Sequence, residues 1–208
     1  EFMSDNALSP FDELADAIRR DDLIGITATL EAGADPNATD DTDDRPAAWS
    51  ALSEAACQDA VGDHSAPFVE ILLAAGADPN PPGYPPLFMC INQLGTSLPA
   101  MRRLLDAGAD PNATSPADGD TLVHRVTQIG SADAIELVLG LGLSLERGDA
   151  RGRTPLLAAV HQENPDAIRR LIQAGADPRA VDRNGLSAEQ LAQDSERTDE
   201  LLAALRMS

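Results

Sequence analysis

Apolar residues recur along this chain at spacings of three and four positions, in a series of short runs. One run carries Ile168, Leu171 and Ile172, and another carries Met101 and Leu104. This spacing places the apolar side chains on one face of a helix. The pattern predicts a set of short amphipathic helices, each of which buries one face against its neighbours.

Five near-copies of one phrase follow such runs, and the clearest copies read Leu-x-Ala-Gly-Ala-Asp-Pro-Asn. The central glycines of the five copies are Gly33, Gly76, Gly108, Gly142 and Gly175. They are separated by 43, 32, 34 and 33 residues. Glycine ends a helix because it adopts left-handed backbone angles, and the proline that follows in most copies cannot continue the helix. A period near 33 residues predicts a stack of similar units.

A second predicted helix precedes each phrase, and two of its openings read Thr121-Leu-Val-His124 and Thr154-Pro-Leu-Leu157. This combination resembles the ankyrin repeat, which has a Thr-Pro-Leu-His opening, two helices, a Gly-Ala-Asp phrase and an extended finger. The resemblance covers roughly residues 11–208. It implies an all-α fold, namely an ankyrin-repeat solenoid of stacked helix-turn-helix units with extended finger loops.

The repeat spacing predicts one ankyrin-repeat domain over residues 4–208, after a cloning remnant and start at residues 1–3. The predicted units lie at approximately 11–38, 39–81, 82–115, 116–148, 149–181 and 182–208. We expect the first and the last of these six units to act as caps, because a terminal repeat needs a polar outer face.

Two departures from the family pattern carry expectations. The family's histidine in the helix opening survives as His124, whereas the corresponding positions of other units hold Ser53, Phe88, Leu157 and Gln190. In the family that histidine braces the backbone of adjacent repeats, so we expect the stack here to depend more on apolar contacts. Extra residues at Asp40–Asp44 and Val61–Pro67 predict a longer finger and a longer turn between helices.

The formal net charge is −20 and the isoelectric point is about 4.2, which excludes nucleic acid and anionic membranes as expected partners. Residues 1–112 carry 20 acids and 5 arginines, a net charge of −15. A cationic protein partner fits this charge, although a salt-adapted origin also explains it. No segment is apolar enough to span a bilayer, and we expect a cytoplasmic protein.

Candidate chemistry is sparse. His64, His124 and His161 are not paired at metal-ligand spacing, and the acidic run 40–44 lacks the glycine and the terminal glutamate of a calcium loop. We therefore expect no metal, no cofactor and no enzymatic activity. Cys57 and Cys90 fall in the first helices of adjacent units and are predicted to be free, buried thiols.

The resemblance implies that partners are gripped by the finger tips and first-helix surfaces on a concave face. The candidate contact residues are the aromatic, acidic and basic side chains of the fingers and their edges, namely Asp40, Asp41, Asp43, Asp44, Trp49, Tyr84, Phe88, Arg147, Arg151 and Arg153. Tryptophan and tyrosine anchor many protein interfaces, and an acidic run beside them suits a basic partner.

Structural alternatives exist for each group. Trp49 and Phe88 alternatively fill the groove between two units, and the acidic run is alternatively a solvated loop. The arginines alternatively pair with Asp149 and Asp182, their neighbours in the sequence.

The predicted function is protein binding, as a bacterial inhibitor or immunity-type protein that covers a basic site on a toxin or enzyme and is a monomer when free. The alternative is an adaptor or secreted effector that binds a host protein. An enzyme would need a cleft that brings distant carboxylates together.

Overall fold

The computed structural model describes residues 10–40, 48–61, 66–92, 95–129, 131–193 and 195–206. The remnant at residues 1–3, the candidate residues Asp41, Asp43 and Asp44, and His64 lie outside the described residues. Within the described ranges the structure contains twelve helices and two short antiparallel hairpins. None of these helices is long and apolar enough to cross a membrane.

The chain divides into two compact units, and the first comprises the residues up to Cys90 together with Ser97–Asp110. Its elements are α1 (Pro10–Arg19), α2 (Leu23–Glu31), β1 (Thr39–Asp40), β2 (Trp49–Ser50), α3 (Ala51–Val61), α4 (Pro67–Ala74), α5 (Pro86–Met89) and α6 (Leu98–Asp106). Helix α1 packs on α2, α3 on α4 and α5 on α6. The first helices α1, α3 and α5 also pack on one another in sequence.

The second unit comprises Ile91–Thr96 together with the residues from Pro111 onward. Its elements are β3 (Ile91–Asn92), β4 (Gly95–Thr96), α7 (Leu122–Ile129), α8 (Ala132–Leu139), α9 (Pro155–His161), α10 (Pro165–Gln173), α11 (Ala188–Gln193) and α12 (Thr198–Leu205). The same pairing recurs here, with α7 on α8, α9 on α10 and α11 on α12. The predicted helix-turn-helix repeat is confirmed.

The core of each unit consists of the apolar faces that the spacing predicted. Leu14, Ile18 and Leu52 are almost completely buried in the first unit, and Leu156 and Leu171 in the second. Burying such a side chain stabilises the folded state by about 1.5–3 kcal/mol. An isolated two-helix repeat lacks this stabilisation because its apolar face is buried only against neighbouring repeats.

The repeated glycine phrase ends its helices as predicted. Gly76 has φ +93°, its N–H donates to the carbonyl of Leu73, and the N–H of Ala77 donates to that of Leu72. These two bonds form a Schellman motif, which satisfies the last carbonyls of α4. Gly108 repeats this geometry after α6, so the phrase fixes how the chain leaves each second helix.

The first helix of the third repeat is short, and the hairpin that follows it was not predicted. It spans four residues, Pro86–Met89, and the hairpin β3–β4 follows it with Ile91 opposite Thr96. The side chain of Asn92 accepts a hydrogen bond from the N–H of Gly95 at 3.1 Å, which favours a turn over a continued helix.

Helix α4 has an unusual start, because the residue before it, Ala66, has φ 62° and no side chain that caps the helix. The carboxylate of Asp59, on α3, replaces the cap. It accepts hydrogen bonds from the N–H of Phe68 at 3.4 Å and of Val69 at 2.9 Å. Since Asp59 is only 2% exposed, this tie fixes α4 on α3 where the inter-helix insertion begins.

Candidate functional site

The asparagines of the repeated phrase hold successive fingers at a fixed spacing. Asn37 accepts a hydrogen bond from the N–H of Asp78 at 2.7 Å, and Asn80 accepts one from the N–H of Asp110 at 2.6 Å. The amide of Asn80 also donates to the carbonyl of Gly108 at 2.9 Å. Each phrase therefore binds the next one through polar contacts, and the fingers of the first unit are positioned by this ladder.

His124 braces adjacent repeats as the resemblance implied. The N–H of Thr121 donates to its Nδ1, so Nε2 carries the ring proton and donates to the carbonyl of Arg153 at 2.8 Å. Ser53 stands at the corresponding position of the second repeat and donates to the carbonyl of Tyr84 at 2.8 Å. The expectation that losing the histidine leaves mainly apolar contacts is therefore wrong at Ser53, because a hydroxyl makes the equivalent bond.

The extended finger begins and ends in a two-residue antiparallel hairpin. Strand β1 pairs with β2, so that Asp40 lies opposite Trp49 and Thr39 opposite Ser50. The acidic run 40–44 thus starts beside the chain's tryptophan. Asp40 and Trp49 are the described ends of this finger.

Trp49 is the centre of a fixed aromatic cluster. Its ring centroid lies 5.6 Å from that of Tyr84, with the ring planes at 57°, a tilted arrangement that aromatic pairs favour. Its indole N–H donates to Oε2 of Glu54 at 2.7 Å, and Oε1 of Glu54 accepts from Arg19 at 2.8 Å. Both aromatic side chains are half-buried. We call Asp40, Trp49 and Tyr84, with their supports Glu54 and Arg19, the aromatic finger site.

Glycine at position 83 allows the two parts of this site to meet. The N–H of Tyr84 donates to the carbonyl of Ala48 at 3.1 Å, and Gly83 has φ +94°. A Cβ atom at position 83 would lie 2.0 Å from the carbonyl oxygen of Ala48. The close approach of the two backbone segments therefore excludes any side chain here.

The structure does not bring Phe88 to the surface. It is 3% exposed in α5 and belongs to the core of the first unit, so it offers no side-chain surface to a partner. The alternative in which Phe88 fills space between repeats describes its position.

The candidate arginines of the second unit are largely engaged inside the chain. Arg153 pairs with Asp149 at 2.7 Å, and its Nε donates to the same carboxylate at 2.8 Å. Arg147 donates to the carbonyl of Asn112 at 3.0 Å. Arg151 remains exposed, and its backbone N–H donates to Asp149. The alternative of internal pairing therefore describes Arg153.

Asp149 organises this arginine-rich finger. Burial by itself would raise the pKa of Asp149, but hydrogen bonds from the backbone and guanidinium of Arg153 and from the backbone of Arg151 lower it below its ordinary value. The carboxylate is therefore ionised in the folded protein and fixes the turn that presents Arg151.

The two cysteines are free thiols. Cys90 is buried, and burial, followed by the charge of Asp59, raises its pKa well above the ordinary value. Cys57 is half-buried and not fully buried as predicted. Among the described residues, no group of three or more His, Cys, Asp or Glu side chains is placed to hold a metal ion.

Sequence reasoning missed the polar supports of the aromatic finger site. Glu54 lies five residues after Trp49 and accepts its indole N–H, and Arg19 comes from a different repeat. No repeat spacing singles out these residues, and only the packing of α1 on α3 brings Arg19 to Glu54.

With this arrangement established, comparison with known proteins defines the class of protein. The family model for ankyrin repeats matches residues 87–182 with three copies. Residues 87–182 are therefore ankyrin repeats, and the predicted ankyrin-repeat fold class is confirmed. The ankyrin-repeat fold is a non-enzymatic protein–protein interaction scaffold. The prediction of six repeats over the whole chain remains a prediction.

Two solved structures share the fold. One is a chain in the structure of a predatory endopeptidase from Bdellovibrio bacteriovorus in complex with an immunity protein. That chain is 23% identical with a TM-score of 0.76, and the match covers 94% of this chain and 98% of that one. The ankyrin repeat domain of human ASB11 is 24% identical with a TM-score of 0.76, covering 98% of this chain and 86% of that one. At these identities the likeness establishes the fold.

Two curated relatives match a shorter part of the sequence. Human B-cell lymphoma 3 protein is 37% identical over 79 residues, and mouse NF-kappa-B inhibitor delta is 35% identical over 78 residues. Each match covers 36% of this chain. The matches span 17% and 24% of the respective relatives, so they compare the repeat region and not the whole proteins.

Proposed function

We propose that this protein binds and inhibits a basic protein partner, as a bacterial immunity-type protein does, through the aromatic finger site. The observation that carries the proposal is the half-buried Trp49–Tyr84 pair, in which Glu54 binds the indole of Trp49, on a chain with a net charge of −20. A protein partner fits the fold. The negative charge and the aromatic anchors indicate that the partner's surface is basic and that it buries the two rings.

The aromatic pair has the properties of an interface anchor. Tryptophan and tyrosine contribute most to binding when they are central and become fully desolvated in the complex. The hydrogen bond from Trp49 to Glu54 fixes the indole before a partner arrives. Because little side-chain freedom is then lost on association, the entropic cost of binding is reduced.

The charge of the chain favours a basic surface on the partner. Residues 1–112, which include the aromatic finger site, carry a net charge of −15. Asp40 lies opposite Trp49, and Asp41, Asp43 and Asp44 belong to the same finger by sequence. An acidic rim around an aromatic anchor speeds association with a cationic protein and orients it.

The comparisons are consistent with an inhibitor. One structural neighbour comes from a complex between an endopeptidase and an immunity protein, and one relative is named as an inhibitor of NF-kappa-B. We further propose that the protein acts in the bacterial cytoplasm, is a monomer when free and buries a standard interface of about 800 Å² per partner.

Capture from source-cell lysate tests this proposal. The tagged parent, the Trp49→Ala and Tyr84→Ala variants, and a control Ile24→Ala are compared, since Ile24 is 83% exposed and belongs to α2, not to the aromatic finger site. We expect a basic protein retained by the parent and the control and lost from both aromatic variants. The purified partner's activity is then measured with and without the parent.

The outcomes separate the alternatives. Association that weakens as salt is raised and a partner that loses activity on binding support inhibition of a basic protein. A complex that both aromatic variants retain would place the interface elsewhere. A ligand found only in lysate from another organism's cells would support the adaptor or effector alternative.

A further inference from the structure

One buried carboxylate oxygen in the described part of the chain has no hydrogen-bond partner. It is Oδ1 of Asp120, a residue that is 4% exposed. The other oxygen, Oδ2, accepts a hydrogen bond from the side-chain amide of Gln128 at 3.0 Å. Buried polar groups are almost always hydrogen-bonded, because removing one from water without a partner is costly. The unsatisfied oxygen of Asp120 therefore requires a physical explanation.

The next finger has an internal ion pair at the position that corresponds to Asp120. Arg153 stands 33 residues after Asp120 at the same place in the repeat, and it pairs with Asp149 of its own finger. Ser115 takes the place of Asp149, because its N–H donates to the carbonyl of Asp120 as the N–H of Asp149 does to that of Arg153. The earlier finger thus has a carboxylate where its successor has the cation of an internal ion pair.

Asp120 lines an open groove of about 370 Å³ within the second unit. Its lining includes three carboxylates (Asp118, Asp120 and Asp149) and two guanidinium groups (Arg151 and Arg153). These residues leave one negative charge. Burial, followed by the charge of Asp118, raises the pKa of Asp120 above its ordinary value, and the opposing effects of His124 and Gln128 do not cancel this rise.

The chemistry of the groove selects a cationic side chain over a metal ion. No described group of three or more His, Cys, Asp or Glu residues is placed to hold a metal, and the one uncompensated charge matches a single monovalent cation. A guanidinium or ammonium group supplies the hydrogen-bond donors that Oδ1 of Asp120 lacks.

We propose that this groove receives one arginine or lysine side chain of the partner protein and that Asp120 is its anchor. The assignment rests on the proposed function, because it specifies how a basic partner is recognised. It adds a second contact point, in the second unit, to the aromatic finger site.

A titration with methylguanidinium chloride tests the groove without any partner protein. Amide chemical shifts of the full chain are followed by NMR, together with the side-chain amide of Gln128. We expect weak, saturable shifts centred on residues 118–121 and Gln128. In the Asp120→Asn variant, affinity falls about tenfold because a charged hydrogen bond is lost. Asp133→Asn, at an exposed acid on α8 of the same unit, is the matched control and keeps the parent's affinity.

A second measurement uses only the parent chain. The pKa of the Asp120 carboxyl, followed by NMR, is expected to fall as methylguanidinium saturates the groove, because a nearby cation favours the ionised form. Tetramethylammonium has the same charge and no donor, and we expect it to shift this pKa less.

Shifts that fail to saturate, that persist equally in Asp120→Asn, or that leave the Asp120 pKa unchanged would overturn the assignment. The result is independent of the partner search. A groove that binds methylguanidinium in a protein with no inhibited partner would contradict the proposed function and leave the groove assignment standing. If a partner is inhibited but the groove does not bind methylguanidinium, the proposed function would stand and the groove assignment would be wrong.

Discussion

Glu54 accepts hydrogen bonds at both of its carboxylate oxygens, from the indole of Trp49 at 2.7 Å and from the guanidinium of Arg19 at 2.8 Å. One carboxylate on α3 therefore joins a finger residue to the last turn of α1. Because both partners are donors, the site requires two acceptors at position 54.

Replacing Glu54 by glutamine tests this requirement. Glutamine has one acceptor oxygen, so its NH₂ group would face either Trp49 or Arg19, both of which are donors. We expect the free energy of unfolding to fall by about 1–3 kcal/mol. Trp49 fluorescence reports the same change directly, because it is the chain's sole tryptophan.

Glu70→Gln is the control for that experiment, since Glu70 also pairs with an arginine, Arg103, but its own side chain is 62% exposed. Exposed ion pairs contribute about 0–1 kcal/mol. Equal losses in the two variants would show that the acceptor pair at Glu54 has no special role.

Ser53→Ala removes the hydroxyl that replaces the family's histidine. Ser53 is completely buried, and the carbonyl of Tyr84 would lose a donor at 2.8 Å. We expect a loss of about 1–3 kcal/mol in urea unfolding. Ser131→Ala, at the N-cap of α8, is a useful comparison because an exposed cap costs about 0.5–2 kcal/mol. An unchanged stability for Ser53→Ala would restore the view that apolar contacts alone hold this repeat.

Gly83→Ala tests the close approach behind Tyr84. The new Cβ atom would meet the carbonyl oxygen of Ala48 at 2.0 Å, in addition to the strain of a positive φ. Gly33→Ala has the same kind of strain, with φ +97° and no atom within 4 Å of the new Cβ. We expect Gly33→Ala to cost about 1 kcal/mol and Gly83→Ala clearly more, with altered Trp49 fluorescence. Thermal unfolding measures both, and equal costs would refute the steric argument.

The dependence of stability on pH should differ in sign between two aspartates of the second unit. Because burial raises the pKa of Asp120, the folded state binds its proton more tightly than the unfolded state does. Its contribution to the free energy of unfolding therefore falls as the pH rises above its ordinary pKa. We expect Asp120→Asn to stabilise the protein at pH 7 by about 1 kcal/mol, and this gain to disappear in acid.

Asp149 is expected to behave in the opposite way. Hydrogen bonds from Arg153 and Arg151 overcome burial and lower its pKa, so its stabilisation is present above the ordinary pKa and is lost as the pH falls through the folded value. Asp149→Asn should destabilise the protein at pH 7 by about 1–3 kcal/mol and converge with the parent in acid. Chemical unfolding across pH distinguishes the two aspartates, and the same sign for both would contradict the assignment.

The periodic features of the fold were predictable because each depends on residues close in the chain. The Schellman turn at Gly76 needs only a glycine after an apolar helix, and the brace at His124 follows from its position after Thr121. The third repeat was predicted less well. Its proline-rich start and the side-chain bond of Asn92 leave a single helical turn before β3, and the sequence pattern did not predict the β3–β4 hairpin.

The residues around Trp49 show the limit of such reasoning. The aromatic residue types Trp49 and Tyr84 suggested an interface anchor, but the sequence did not show that Glu54 and Arg19, from separate repeats, support it. The burial of Phe88, which is 3% exposed, likewise depends on how α5 packs. Asp59 likewise caps α4 across an insertion whose length gave no indication of the contact.

The sequence by itself determined the repeat, its helix ends and the acidic character of the chain, because these depend on local backbone preferences and on composition. The tertiary structure decided which polar side chains meet across repeats. It placed Glu54 between Trp49 and Arg19, joined the hydroxyl of Ser53 to the carbonyl of Tyr84 and left one oxygen of Asp120 without a donor. Such contacts depend on distances between side chains that packing sets and that no spacing along the chain encodes.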